Sequence, residues 1–274
     1  MINACELIGF YDVLFVVLDS LRYDVASNAI DSGSTPNLAN ILPEGKWEKR
    51  HSPGNFTYSS HQAFFAGFLP TPTKPGLHPR LFAARFAGSE TTNEQTYVFD
   101  SPDIVTGFFQ QGYYTLCIGG VGFFNKQTPL GSVLPSLFVE SHWDKSLGVT
   151  DPNSTENQIN LAIKRLSEIP SQQNLFLFIN ISAIHQPNYF YLSTINETKT
   201  DSLASHKAAL EYVDSQLPRL FQAIQRRCST LVILCSDHGT AYGEDGYLGH
   251  RISHPIVWTV PYAEFILPKI TGDH

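Results

Sequence analysis

Residues 231–254 read LVILCSDHGTAYGEDGYLGHRISH, and this stretch decides the fold. Leu231, Val232, Ile233, Leu234 and Cys235 form a continuous apolar run with the length and β-branched content of a buried strand. The run stops at Ser236-Asp237-His238-Gly239, and a glycine-rich loop then returns His250 and His254. Residues just past the carboxyl end of a strand face the ligand crevice in open α/β sheets. A neighbouring Asp and His there can turn toward one point and bind a divalent metal. The same pair would also suit a plain strand end with a capping Asp and a solvated His.

Outward from this stretch, residues 13–18 (VLFVVL) are a second such run, ending in Asp19 and followed by Ser20-Leu21-Arg22. Residues 175–179 (LFLFI) are a third, leading into Asn180 and then His185-Gln186-Pro187. Further strands are expected at 97–99, at 114–118 before Gly119-Gly120-Val121-Gly122, and at 257–267. Continuous apolar runs mark parallel strands covered on both faces. Helices are expected at 102–111, at 155–169 from the spacing of Ile159, Ala162, Ile163 and Leu166, and at 203–227, where Pro218 should kink or divide the helix. Thr35-Pro36 reads as an N-cap followed by a first-turn proline. Strands alternate with helices, so the class is α/β with a mostly parallel sheet. Asp19, His185 and the Asp237-His238 pair all follow strands, and their convergence on one crevice edge is a site prediction.

Residues 51–67 supply a further candidate. Pro53-Gly54 makes a turn, and a helix is expected from Tyr58 to Ala66, closing at Gly67. Thr57 then lies at a helix N-terminus, where backbone N–H groups favour an anion. Its hydroxyl could attack phosphate or could simply cap the helix. The proline-rich segment 68–93 reads as a long surface loop walling the site.

The chain has 274 residues, 42% hydrophobic and 16% charged, enough for one large α/β domain spanning 1–274. Net charge is −7, and no basic block of five or more occurs, which argues against nucleic acid or an anionic membrane as partner. The N-terminus lacks the features of a signal peptide, and residues 13–18 are too short to span a bilayer, so a soluble cytoplasmic protein is expected. Cys5, Cys117, Cys228 and Cys235 are widely spaced and suggest no disulfide framework; Cys117 and Cys235 read as core residues.

Asp19, Thr57, Asp237 and His238 together resemble the metal site of the alkaline phosphatase superfamily, in its sulfatase-like branch. Residues 13–24 resemble the first strand with its metal carboxylate. Thr35-Pro36-Asn37-Leu38 matches the T-P-N-L that follows it, and residues 57–67 the nucleophile helix. Ser236-Asp237-His238-Gly239 matches S-D-H-G, residues 243–250 match G-E…G-H, and His185-Gln186-Pro187 matches H-x-P. The resemblance implies an alkaline-phosphatase-like three-layer sandwich with a mostly parallel central sheet. It also implies a metal-dependent ester hydrolase or phosphotransferase with a covalent intermediate on Thr57. One divalent ion (Zn, Mn, Mg or Ca) would be held by Asp19, Thr57, Asp237 and His238. His185 and His250 would touch the non-bridging oxygens or protonate the leaving group.

The departures shape the expected chemistry. Sulfatases oxidise a Cys or Ser to an aldehyde, whereas Thr57 would give a ketone. The family's lysine falls among Gly119-Gly120-Val121-Gly122, with Lys126 as a candidate substitute. His61 takes the sulfatase arginine position, or else faces outward from its helix. The second Asp of the sulfatase pair is Ser20. Two-metal members need an Asp near Ile181, which cannot bind metal. A second ion on His185, His250 and His254 would need Glu244 or Asp245 as its carboxylate, and Arg22 is a further site candidate. With the last expected strand closing at residue 267, no counterpart of the C-terminal subdomain usual in sulfatases is expected, and the site is expected to be open or covered by an oligomer partner. The favoured substrate is a small phosphate ester. The alternatives are a sulfatase-type hydrolase acting without the aldehyde and, from a different class, a metal-binding pseudo-enzyme.

Overall fold

Along the chain, β1 (Asp12–Leu18) leads to α1 (Tyr23–Asp31) and α2 (Pro36–Ile41), and β2 (Glu48–His51) to α3 (Thr57–Ala66). The short strands β3 (Arg80–Phe82) and β4 (Thr96–Val98) precede α4 (Ile104–Gln110), β5 (Tyr114–Ile118), α5 (Pro129–Val133) and β6 (Glu140–His142). Then follow α6 (Ser154–Glu168), β7 (Leu175–Ile181), α7 (Leu203–Arg227), β8 (Thr230–Cys235), the ribbon β9 (Ala241–Tyr242) and β10 (Leu248–Gly249), α8 (Pro255–Trp258) and β11 (Thr259–Leu267). The computed structural model describes residues 2–67, 103–192 and 199–270, with the backbone of 80–82 and 96–98. Most of the expected loop at 68–93, together with Phe99 and Pro102, lies outside the described residues.

Seven strands form the central sheet in the order β2-β11-β8-β1-β7-β5-β6. β1 runs parallel to β7 and β8, and β5 parallel to β6 and β7; β11 is antiparallel to its neighbours β8 and β2. The last expected strand is therefore real, begins at Thr259 and reverses direction. The two faces of the sheet carry different cores because successive side chains alternate. Leu14, Val16 and Leu18 pack with Leu38, Ile159, Leu177 and Leu210 under α1, α2, α6 and α7. Val13, Phe15 and Val17 pack with Phe65, Phe108, Phe124, Phe138 and Phe178 on the side of α3 and α4. The result is a sheet sandwiched between two helical layers.

Two local expectations are corrected. α7 is not divided at Pro218 but continues as one helix to Arg227. The proline removes one helix hydrogen bond, but Val213, Leu217, Leu220, Phe221 and Ile224 on the surrounding turns are buried in the core, and that packing outweighs the lost bond. Thr35 makes no side-chain cap for α2. Asp214 of α7 does that work, accepting from the Leu38 and Asn37 N–H groups at 2.7 and 3.3 Å and from the Asn37 side chain at 2.9 Å. The four cysteines are free, with Cys117 and Cys235 buried as expected.

Candidate metal centre and its pocket

Register brings the carboxylates together. Val17 of β1 pairs with Cys235 of β8, so Asp19 and Asp237, each two residues further, leave the sheet side by side. Asp19 Oδ1 accepts from Ser20 Oγ at 2.9 Å, and its Oδ2 accepts from Asn180 Nδ2 at 3.0 Å and from Thr57 Oγ1 at 3.4 Å. Asp237 Oδ1 accepts from the backbone N–H groups of Ser20 at 3.1 Å and His238 at 3.0 Å. His238 Nδ1 donates to the Gly239 carbonyl at 2.8 Å, which leaves the Nε2 lone pair facing Thr57 Oγ1 at 3.3 Å and Asp237 Oδ2 at 3.5 Å. Gly239 is required there, because a Cβ would come within 2.2 Å of the Ile256 carbonyl oxygen. Thr57 is the first residue of α3; Phe56 occupies the N-cap position, so the hydroxyl is not used as a cap.

The donor set fits one divalent ion. One ligand atom each from Asp19, Asp237 and His238 lies within 4.8 Å of the others, and all three residues are buried. Asp237 Oδ2 is buried without a hydrogen-bond partner, an arrangement whose cost a bound cation removes. Charge tells the same story. Burial and the negative charge of Asp19 push the Asp237 carboxyl well above the ordinary range. Burial also raises Asp19, but His185, His238 and the Asn180 amide outweigh it and hold Asp19 low. Two adjacent buried carboxylates of opposite tendency ask for a positive charge between them. The mixed oxygen and imidazole ligands suit Zn, Mn, Mg or Ca.

His185 and His250 come to the same place. Their rings meet edge to face at 5.5 Å, and His250 lies 4.6 Å from His238, centroid to centroid. Both line a pocket of about 300 Å³ with Thr57, Val121, Phe123 and Leu130. Burial, with the neighbouring His238 and His185, pushes the His250 imidazole down to about 3, so it is neutral at ordinary pH.

The secondary candidates divide differently. His61 does not face outward: it is fully buried among Phe64, Phe65, Phe124 and Phe178. Its Nδ1 donates to the Thr57 carbonyl at 2.7 Å, so it braces the first turn of α3. Arg22 is buried and paired with Asp24 and Glu244, tying the end of β1 to the 236–250 loop rather than entering the pocket. Asp245 pairs with His254 at 3.0 Å, and His254 Nδ1 caps α8 by accepting from the Ile256 N–H. Glu244, Asp245 and His254 therefore do not converge on a second metal position. Lys126 is exposed and donates to the Ser141 carbonyl at 2.5 Å, so it does not take the place of the missing lysine.

Sequence reasoning assigned no role to three residues. Asn180 holds Asp19 and also accepts from the N–H groups of Gly120 and Val121 at 3.3 and 3.2 Å. Ser20, with φ of +67°, presents its N–H and hydroxyl to the two carboxylates. Arg251 lines the pocket beside His250. The signals were slight: a polar residue inside an apolar strand, a serine in a paired-acid position and an arginine after Gly-His.

The family model described as Sulfatase matches residues 11–262. A search of curated proteins returned no match. Among solved structures, the C-terminal periplasmic domain of phosphoethanolamine transferase EptC from Campylobacter jejuni is 14% identical with a TM-score of 0.61, covering 94% of this chain and 80% of that one. The C-terminal periplasmic domain of EcEptC from Escherichia coli, in complex with Zn, is 14% identical with a TM-score of 0.60, covering 94% and 73%. A protein in the alkaline phosphatase superfamily from Vibrio parahaemolyticus is 19% identical with a TM-score of 0.58, covering 94% and 60%. These likenesses establish a shared fold, and with the family match over most of its length, the chain belongs to the Sulfatase family.

Proposed function

We propose that the chain is a metal-dependent phosphate-ester hydrolase or phosphotransferase working through a covalent intermediate on Thr57. The observation that carries this reading is the position of Thr57 Oγ1, free of any capping role and 3.3 Å from His238 Nε2. Asp19, Thr57, Asp237 and His238 would hold one divalent ion, which when bound neutralises ester charge and favours the Thr57 alkoxide. The threonine oxygen attacks phosphorus in line, the bond to the leaving alcohol breaks, and water or an acceptor alcohol later releases the phosphoryl group. His185 and His250 hydrogen-bond the ester oxygens, and one of them returns a proton to the leaving alcohol. Asn180 and Ser20 keep Asp19 turned toward Thr57. Phosphoryl rather than sulfuryl transfer is favoured because a threonine cannot become the aldehyde that sulfatases use. The name of the Campylobacter relative, a phosphoethanolamine transferase, points the same way.

The test is a screen of phosphomonoesters, phosphodiesters and sulfate esters with each metal, comparing wild type with Thr57→Ala. Intact-mass spectrometry of the quenched reaction should show a phosphothreonine adduct at Thr57. Turnover of sulfate esters alone would favour the sulfatase-type alternative, and bound metal without any turnover the pseudo-enzyme.

A further inference from the structure

Fixed positive charge is scarce around Thr57. Among the described residues lining the pocket, Arg251 is the one whose charge does not depend on pH. Lys126 is held by Ser141, and Arg22 is engaged by Asp24 and Glu244. Arg251 is exposed, and its side chain has no ion-pair partner among the described residues.

The backbone supplies a second, independent sign. Arg251 has φ of +69°, in the left-handed region where a side chain costs about 1–2 kcal/mol and glycine costs nothing. Its N–H donates to the Asn55 carbonyl at 2.8 Å, which fastens this loop to the segment just before Thr57. An arginine therefore stands at the pocket in a conformation that suits glycine, and such outliers cluster at functional sites.

Two carboxylates and one divalent ion cancel in charge, so an anionic ester gains its net attraction from elsewhere. We infer that Arg251 is the substrate-recognition cation of this pocket: its guanidinium hydrogen-bonds the non-bridging oxygens of an anionic tetrahedral ester seated at Thr57. The inference rests on Thr57 being the point of attack. Two N–H donors in a planar fork suit a pair of oxygens on one tetrahedral centre.

Inorganic phosphate is the probe, with calorimetric titration of the metal-loaded protein as the readout. Arg251→Gly should weaken phosphate binding at least about tenfold and flatten its dependence on salt. Its melting temperature should equal or exceed that of wild type, since glycine relieves the left-handed cost. Arg251→Lys should fall between, and Lys126→Ala should bind like wild type. Phosphate affinity of Arg251→Gly within twofold of wild type would overturn the inference, as would wild type that binds no phosphate. The Thr57→Ala variant separates the two readings. If it binds phosphate yet still turns over an ester, the nucleophile assignment fails while the phosphate titrations continue to judge Arg251.

Discussion

Replacing Asp237 with Asn should stabilise the metal-free protein while sharply weakening its response to metal. Asp237 Oδ2 is buried with no hydrogen-bond partner, and its carboxyl is pushed up by burial and by Asp19. A buried polar atom left unpaired costs about 1–3 kcal/mol. An asparagine keeps Oδ1 as acceptor for the Ser20 and His238 N–H groups. Its amide nitrogen, in the place of Oδ2, faces the His238 Nε2 lone pair at 3.5 Å and can donate to it. The chelated variant should therefore exceed chelated wild type by about 1–3 kcal/mol, or roughly 2–4 °C in melting temperature per kcal/mol. The gap should widen as pH rises above 3.8, because a carboxyl with a raised folded pKa loses stability as it is forced to ionise. Wild type at a free-metal concentration of about 100 times Kd gains about 2.7 kcal/mol, and the variant should gain far less, so their order reverses. Calorimetric melts in EDTA and in Zn, Mn, Mg or Ca would measure this. A chelated variant that melts below chelated wild type, or one that metal stabilises as strongly, refutes the reasoning.

Other expectations follow from the same geometry. His206 is fully buried, accepts from the Arg22 N–H and contacts Tyr242 Oη at 3.0 Å; burial, aided by Arg22, pushes it from 6.5 down to about 3. It stays neutral when folded, so stability should fall by about 1.4 kcal/mol per pH unit below 6.5 on its account. Urea titrations from neutral to acid pH should give His206→Gln a shallower slope than wild type, and equal slopes would reject this. Asp214→Ala removes the cap on α2 and should cost about 1–2 kcal/mol by chemical denaturation, with ester turnover retained. Gly239→Ala drives a Cβ into the Ile256 carbonyl and should cost about 1–3 kcal/mol and weaken metal retention, measured by dialysis and elemental analysis.

The layered fold was legible because its strands announce themselves. Leu14 through Leu18, Phe176 through Ile179 and Leu231 through Leu234 are continuously apolar, as strands covered on both faces must be. Asp19, Asp237 and His238 were legible for a related reason: each is a polar residue immediately past such a run, and the crevice of an α/β sheet opens there. Thr57 was legible as a helix N-terminus but not as a free hydroxyl, because a capping threonine and a nucleophilic one share the same local sequence.

What the sequence could not decide were contacts between segments far apart in the chain. Asp214 caps a helix more than 170 residues before it, in place of the adjacent Thr35. Glu244, Asp245 and His254 carry metal-ligating side chains and Arg22 an anion-binding one, yet ion pairing and capping withdraw them from the pocket. Arg251 enters it through a left-handed backbone turn, and His61 turns inward because an aromatic core waits beneath α3. The sequence by itself determined which residue types stand at the strand ends, through hydrophobic periodicity that any local window displays. Tertiary structure alone decided which of them meet, because register between β1 and β8 and the path of the 236–251 loop depend on packing across the whole sheet.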